Sequence, residues 1–247
     1  MHLLPGPDLR FNRLLHAWPD AEWCQLQPQL DHTELRLGQV LGEPGVPLTH
    51  VHFPTTGIVS LLSVMEDGDS VEAAAVGREG VVGVSAYLGG GAAWGSAVVH
   101  TAGWALRLPA QALAAAFARS PDVAQVLLRY TQTLLAQMAQ TVACTRHHSL
   151  DQQLCRWLLL SLDRLRGHEL LMTHDRIAQL LGVRREGVTA GALRLQRAGL
   201  IHYSRGRISV LDRSGIEQRS CECYAAMATI CRPSVPDAAL HTRGTHR

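Results

Sequence analysis

The stretch that decides the fold is Met172-Thr-His-Asp-Arg-Ile-Ala-Gln-Leu-Leu-Gly182, running straight into Val183-Arg-Arg-Glu-Gly-Val-Thr-Ala-Gly-Ala-Leu-Arg-Leu-Gln-Arg-Ala-Gly199 and then Leu200-Ile-His-Tyr-Ser-Arg-Gly-Arg-Ile-Ser-Val-Leu211. Thr173 is suited to cap a helix, and Asp175 then lies in the first turn, where the helix dipole favours an anion. Ile177, Ala178 and Leu181 fall on one face. Gly182 permits a tight turn, and Val183 can plug the angle between two helices. A second helix starts near Arg184, with Val188, Ala192 and Leu195 inward and Arg184, Arg185, Glu186 and Thr189 outward. This is the spacing of a helix-turn-helix, whose polar first turn reaches base edges in the major groove. From Leu200 to Leu211 the pattern alternates as a strand does around Ser204-Arg205-Gly206, a short hairpin from which Arg205 and Arg207 can meet phosphates. Two short helices with a glycine turn also occur in enzymes; the arginines and the hairpin favour double-stranded DNA.

Charge supports that reading. All 23 basic residues of the 247-residue chain are arginine. Residues 1–144 hold 7 Arg against 12 Asp and Glu, a net of −5, whereas residues 145–247 hold 16 Arg against 9, a net of +7. An acidic part joined to a basic part suggests one domain that avoids polyanions and one that meets them. At 47% hydrophobic residues the chain can build real cores. It has no run of apolar residues long enough to span a membrane, and its first residues lack a secretory pattern, so a cytoplasmic location is expected.

Upstream, residues 9–30 look helical but mixed. From about 31 to 108, short apolar runs (Ile58 to Leu62, Val71 to Val76, Ala97 to Val99) alternate with turn signals at Gly42-Glu-Pro-Gly45, Glu66-Asp-Gly-Asp69 and Gly89-Gly-Gly91. Such spacing suits a small antiparallel β-roll of jelly-roll type. Past Pro121 glycine and proline stop. Val123, Leu127, Tyr130, Leu134 and Met138 then recur at spacings of 4, 3, 4 and 4, a narrow stripe on one helix. A stripe this narrow suits a coiled-coil-like seam between two chains, the alternative being packing on the chain's own β-domain. A second helix is expected from Leu150 to Leu165, ending at Gly167. The expected organisation is therefore α+β: a sensor β-roll over 1–120, a dimerisation helix over 121–147, a winged helix-turn-helix over 148–225 and a disordered tail over 226–247.

This order of parts resembles the CRP/FNR family of bacterial transcription regulators over residues 15 to 225. The family's recognition helix opens with a Ser-Arg-Glu-Thr-Val-like run; here it is Arg184-Arg-Glu-Gly-Val188. By that resemblance Arg185 would read guanine and Glu186 cytosine, which their hydrogen-bonding chemistry allows. A further family arginine, four residues after the glutamate, is Ala190 here. The resemblance implies a homodimer on a near-palindromic operator, with RNA polymerase as a further partner and no enzymatic activity. The alternative is a ligand-binding β-roll that regulates a protein partner.

The sensor half names no ligand. Cyclic-nucleotide members carry a glutamate for the ribose and an arginine for the phosphate; those positions are Val84 and Gly95 here. Cyclic AMP in the familiar mode is therefore not expected, and no cofactor is. Arg78 and Glu79, in Gly77-Arg-Glu-Gly80, are candidates for a differently placed ligand, against the blander reading of a solvated turn. Cys24 stands without the N-terminal cysteine cluster that an iron–sulfur centre needs. His50 and His52 on one strand face read as structural. Cys221 and Cys223, with Cys231 further on, are two apart and would diverge on a helix, so no metal site is expected. No phosphate-binding loop, nucleophile elbow or zincin motif occurs.

Overall fold

A computed structural model describes residues 11–93, 95–165 and 167–230. Two short helices, α1 (Arg13–His16) and α2 (Asp20–Leu26), lead into seven strands: β1 (Asp31–Leu35), β2 (Val40–Gly42), β3 (His50–Pro54), β4 (Ile58–Val64), β5 (Ser70–Val76), β6 (Ser96–Thr101) and β7 (Gly103–Pro109). They form two antiparallel sheets, in the orders β1-β7-β3 and β2-β6-β4-β5. Alternate side chains point inward. Val51, Phe53, Leu106 and Leu108 come from the first sheet, and Val59, Ala74, Val76 and Val99 from the second. The Asp67-Gly68 turn joins β4 to β5, with Gly68 at φ 90°.

Helix α3 (Ala110–Arg119) closes the roll, and α4 (Pro121–His147) follows as the long helix. Ser120 caps α4 at Val123 N, and Pro121 occupies the first turn, where no backbone donor is lost. Here one expectation is corrected. Val123, Leu127, Tyr130 and Leu134 are buried against the chain's own β-roll, and Met138 is partly buried against the same sheets. In the single chain the roll therefore covers the face expected to form a seam, fully at the first four residues and partly at Met138. The stripe is seated closely on the roll: Tyr130 donates to Val81 O at 3.0 Å, and a Cβ on Gly80 would lie 2.3 Å from its ring. The large apolar residues that α4 leaves open are Leu128, Leu135 and Val142, at 49%, 62% and 69% exposure and seven residues apart.

Helix α5 (Leu150–Arg164) starts at a capping box in which Ser149 and Gln152 satisfy each other's backbone N–H groups. After it come β8 (Glu169–Leu171), α6 (His174–Leu181), α7 (Arg185–Arg197), β9 (Ile201–Ser204), β10 (Arg207–Val210), α8 (Arg213–Arg219) and α9 (Glu222–Ile230). Strand β8 was not expected; it pairs with β10 and makes the wing a three-stranded sheet, β8-β10-β9. Leu154, Leu158, Ile177, Val188, Leu195, Ile208 and Ile216 share one core. Helix α9 runs past residue 225, where a tail was expected to begin; residues 231–247 of that expected tail, Cys231 among them, lie outside the described residues. No helix among the described residues is long and apolar enough to cross a membrane.

Candidate nucleic-acid interface

Thr173 caps α6, its hydroxyl accepting from Arg176 N at 3.3 Å. Gly182 ends the helix at φ 64°, a conformation open to glycine at little cost. Val183 N then bonds back to Ala178 O at 3.0 Å, which fixes the angle at which α7 departs. Val188, Ala192 and Leu195 are buried as the periodicity demands. Two residues that sequence reasoning passed over set the depth of α7. A Cβ on Gly187 would lie 2.7 Å from Leu150, and one on Gly191 3.2 Å from Leu154. The paired glycines, one turn apart, let α5 lie close behind the recognition helix. Arg194 secures the same contact through two bonds to Asp151, at 2.5 and 2.7 Å, and they hold the Asp151 carboxyl below its usual range.

The outer face of α7 starts with Arg184, Arg185 and Glu186, all exposed. Arg185 Nε stands 3.3 Å from Asp175 Oδ1 at the start of α6. Both side chains are well exposed, so the pair is worth at most about 1 kcal/mol and can yield to a base. Thr189 is less free than expected, since its hydroxyl lies 3.0 Å from His174 Nδ1, and His174 stacks on Tyr203 with ring centroids 4.1 Å apart. That stack ties the recognition helix to the wing. Arg205 sits at the wing's tip at φ 49°, followed by Gly206 at φ 75°, the two positive angles of a tight hairpin turn. Arg207 does not share the tip: it donates to Glu169 Oε2 at 2.7 Å, and with Ser209 it holds that carboxyl below its usual range. Among the described residues, Arg184 and Arg205 have no carboxylate partner.

The Gly77-Arg-Glu-Gly80 loop is partly buried, and its Glu79 is held in an ion pair rather than solvated. Arg164 of α5, 6% exposed, donates from Nε to Glu79 Oε1 at 2.7 Å and from Nη1 to Leu160 O at 2.7 Å. Gly77 is needed because a Cβ there would lie 2.9 Å from the Arg164 stem. One loop thus seats Tyr130 of α4 at Gly80 and Arg164 of α5 at Glu79. Arg78 and Arg164 line a cleft of about 370 Å³ together with Arg207 of the wing. Against the second sheet, Val84 lies in a short 3-10 turn, and a Cβ on Gly95 would lie 2.3 Å from Leu62 O. No side chain fits at Gly95 without moving the backbone.

The cysteines give a second correction. Cys221 stands in the link before α9 and only Cys223 is on the helix, so the divergence expected of two helical residues does not arise. Their sulfurs meet Cys144 and His148, one turn apart at the end of α4, with all four donor atoms within 4.8 Å of one another. Burial pushes the Cys144 thiol up to about 12. Cys144 and His148 are close in the sequence, as are Cys221 and Cys223, but Cys144 and Cys221 are 77 residues apart, so the sequence does not announce that the two pairs meet.

Two domain families match the chain: the cyclic nucleotide-binding domain over residues 32–120 and the Crp-like helix-turn-helix domain over residues 152–219. The chain is similar to the global nitrogen regulator of Synechococcus elongatus, 25% identical over 84% of this chain and 97% of that one. It is also similar to the global nitrogen regulator of Nostoc, 28% identical over 64% of this chain and 76% of that one. Among solved structures, it resembles a putative crp/fnr regulator from Eubacterium rectale (TM-score 0.65, 20% identity, 84% and 97% covered). It likewise resembles FixK2 from Bradyrhizobium japonicum (TM-score 0.66, 17% identity, 78% and 98% covered). With a β-roll, a long helix and a winged helix-turn-helix in that order, and with both domain families matched in place, the chain belongs to the CRP/FNR family of transcription regulators.

Proposed function

We propose that the protein binds a near-palindromic operator as a homodimer, with Arg185 and Glu186 reading bases and Arg184 and Arg205 meeting phosphates. The observation that carries this reading is the exposed first turn of α7. It presents two arginines and a glutamate outward from a helix held from behind by α5 and from the side by the wing. An arginine can donate two bonds to guanine O6 and N7, and a carboxylate accepts from the cytosine amino group. Arg207, already compensated by Glu169, is a weaker phosphate ligand than Arg205. Ala190 supplies no contact of its own beyond its methyl group.

The dimer face is the row Leu128, Leu135 and Val142 on α4, and its occupant is the same row of a second copy. Three apolar side chains at intervals of seven keep to one side of a helix that supercoils around its twin. A two-fold axis along α4 places two recognition helices about 34–36 Å apart, one turn of DNA. The β-roll modulates this binding through a signal other than cyclic AMP in the familiar mode, because Val84 and Gly95 offer neither the carboxylate nor the cation that mode requires.

Selection of bound DNA from a random pool tests the reading. An inverted repeat with guanine in each half-site is expected. The Arg185→Ala variant should then lose about 1–3 kcal/mol on that site and relax its preference at the guanine. If the variant keeps the same base preference, α7 does not read DNA through Arg185.

A further inference from the structure

We propose that Cys144, His148, Cys221 and Cys223 hold one Zn²⁺ ion that staples the end of α4 to the start of α9. Cys144 Sγ and Cys221 Sγ are 3.6 Å apart, and Cys223 Sγ is 3.4 Å from His148 Nδ1. Ligands at zinc–sulfur and zinc–nitrogen distances of about 2.3 and 2.0 Å stand about 3.4–3.8 Å apart around a tetrahedron. Those two pairs already stand at that spacing, and all four donors lie within 4.8 Å of one another. Three sulfurs and one imidazole form a donor set of the structural-zinc type, soft enough to disfavour magnesium or calcium.

Three neighbours fit a charged centre better than a cluster of thiols. His148 turns Nδ1 to the sulfurs and Nε2 to Glu222 Oε1, 3.2 Å away. That is the carboxylate–histidine arrangement that orients a metal-bound ring. Gln140 Nε2 donates to Cys223 Sγ at 3.0 Å. Arg156 on α5 is 5% exposed and, among the described residues, has no carboxylate partner; its one hydrogen bond goes to Thr141 Oγ1 at 3.5 Å. Its charge acts on Cys144. A buried cation without a counter-ion is costly. When zinc binds, three thiols release three protons to solvent, the imidazole binds neutral, and no electron moves. The centre then carries one net negative charge, which answers Arg156.

The staple sits at the joint where α4 ends and α5 begins. It fixes how the winged helix is carried by the long helix; this consequence for DNA rests on the function proposed above, whereas the metal site does not.

The test is metal analysis of the full chain, grown with zinc and purified reduced without chelator. One zinc per chain is expected, and Co²⁺ in its place should give thiolate charge-transfer bands and the visible bands of a tetrahedral site. Cys144→Ser and Cys223→Ser should abolish both, whereas Cys24→Ser and Cys155→Ser should retain them. Glu222→Gln should keep the ion but weaken its binding about 10–100-fold. If the reduced wild-type chain neither carries zinc nor takes up Co²⁺, the proposal is overturned, whatever the folding of the serine variants. A Cys144–Cys221 disulfide in place of the metal also overturns it. If zinc is bound but its removal leaves operator affinity within threefold, the metal site stands and the positioning role falls.

Discussion

Leu135→Ala separates the two faces of α4. Leu135 leaves 62% of its surface open in the single chain, whereas Leu127, about two turns earlier and about a quarter-turn round the helix, is fully buried in the roll. Complete burial of a leucine is worth about 1.5–3 kcal/mol, so covering the open part of Leu135 contributes about 1–2 kcal/mol per chain. A two-fold dimer loses that twice, about 2–4 kcal/mol, or about 30- to 700-fold in the dissociation constant. The chain's own stability should hardly change, because alanine is the best helix former and most of the Leu135 side chain is open among the described residues. Leu127→Ala should do the reverse, costing about 2–5 kcal/mol of folding free energy through the cavity it leaves. Sedimentation equilibrium reads the first quantity and urea denaturation at low concentration the second. If Leu135→Ala leaves the dimerisation constant within threefold, the face running through Leu128, Leu135 and Val142 is not the seam.

Three further perturbations test the joints and the interface. Arg164→Met leaves the half-buried Glu79 carboxylate without its cation and should cost about 3–5 kcal/mol in urea denaturation; adding Glu79→Gln should recover part of it. Arg205→Ala should weaken binding to specific and random DNA alike and lower the salt slope by about one in a filter-binding series. His52 is pushed down to about 4 from 6.5, first by burial and then by the charge of Arg107 and by His50. Its folded form resists a proton that the unfolded chain accepts. Stability is therefore complete above pH 6.5 and falls as pH drops towards 4, by up to about 3 kcal/mol. His52→Gln should flatten that slope, and an unchanged slope would place the acid sensitivity elsewhere.

The parts of this chain that could be read from sequence are those where chemistry is local. Thr173, Gly182 and Val183 announce the helix-turn-helix because a cap, a left-handed turn and a plug lie within eleven residues and each has a backbone reason to be there. The wing's hairpin follows in the same way from Arg205-Gly206. What sequence could not decide is which partner a surface meets. The α4 stripe has the spacing of a seam, but periodicity records only that a face is apolar; that the roll covers it depends on Gly80, 50 residues before Tyr130, being small enough to receive the ring. Strand β8 escaped notice because three residues carry no period, and Glu79 looked free because its cation lies at the far end of α5. The cysteine cluster shows the same limit most sharply. From the sequence, Cys221 and Cys223 read as neighbours on a helix. The chain leaves Cys221 outside the helix and brings α9 against the end of α4, so the donors that matter to each other are not neighbours in sequence. Sites assembled by packing become legible only when the packing is known, whereas sites built on one turn of backbone can be read from the residues that shape that turn.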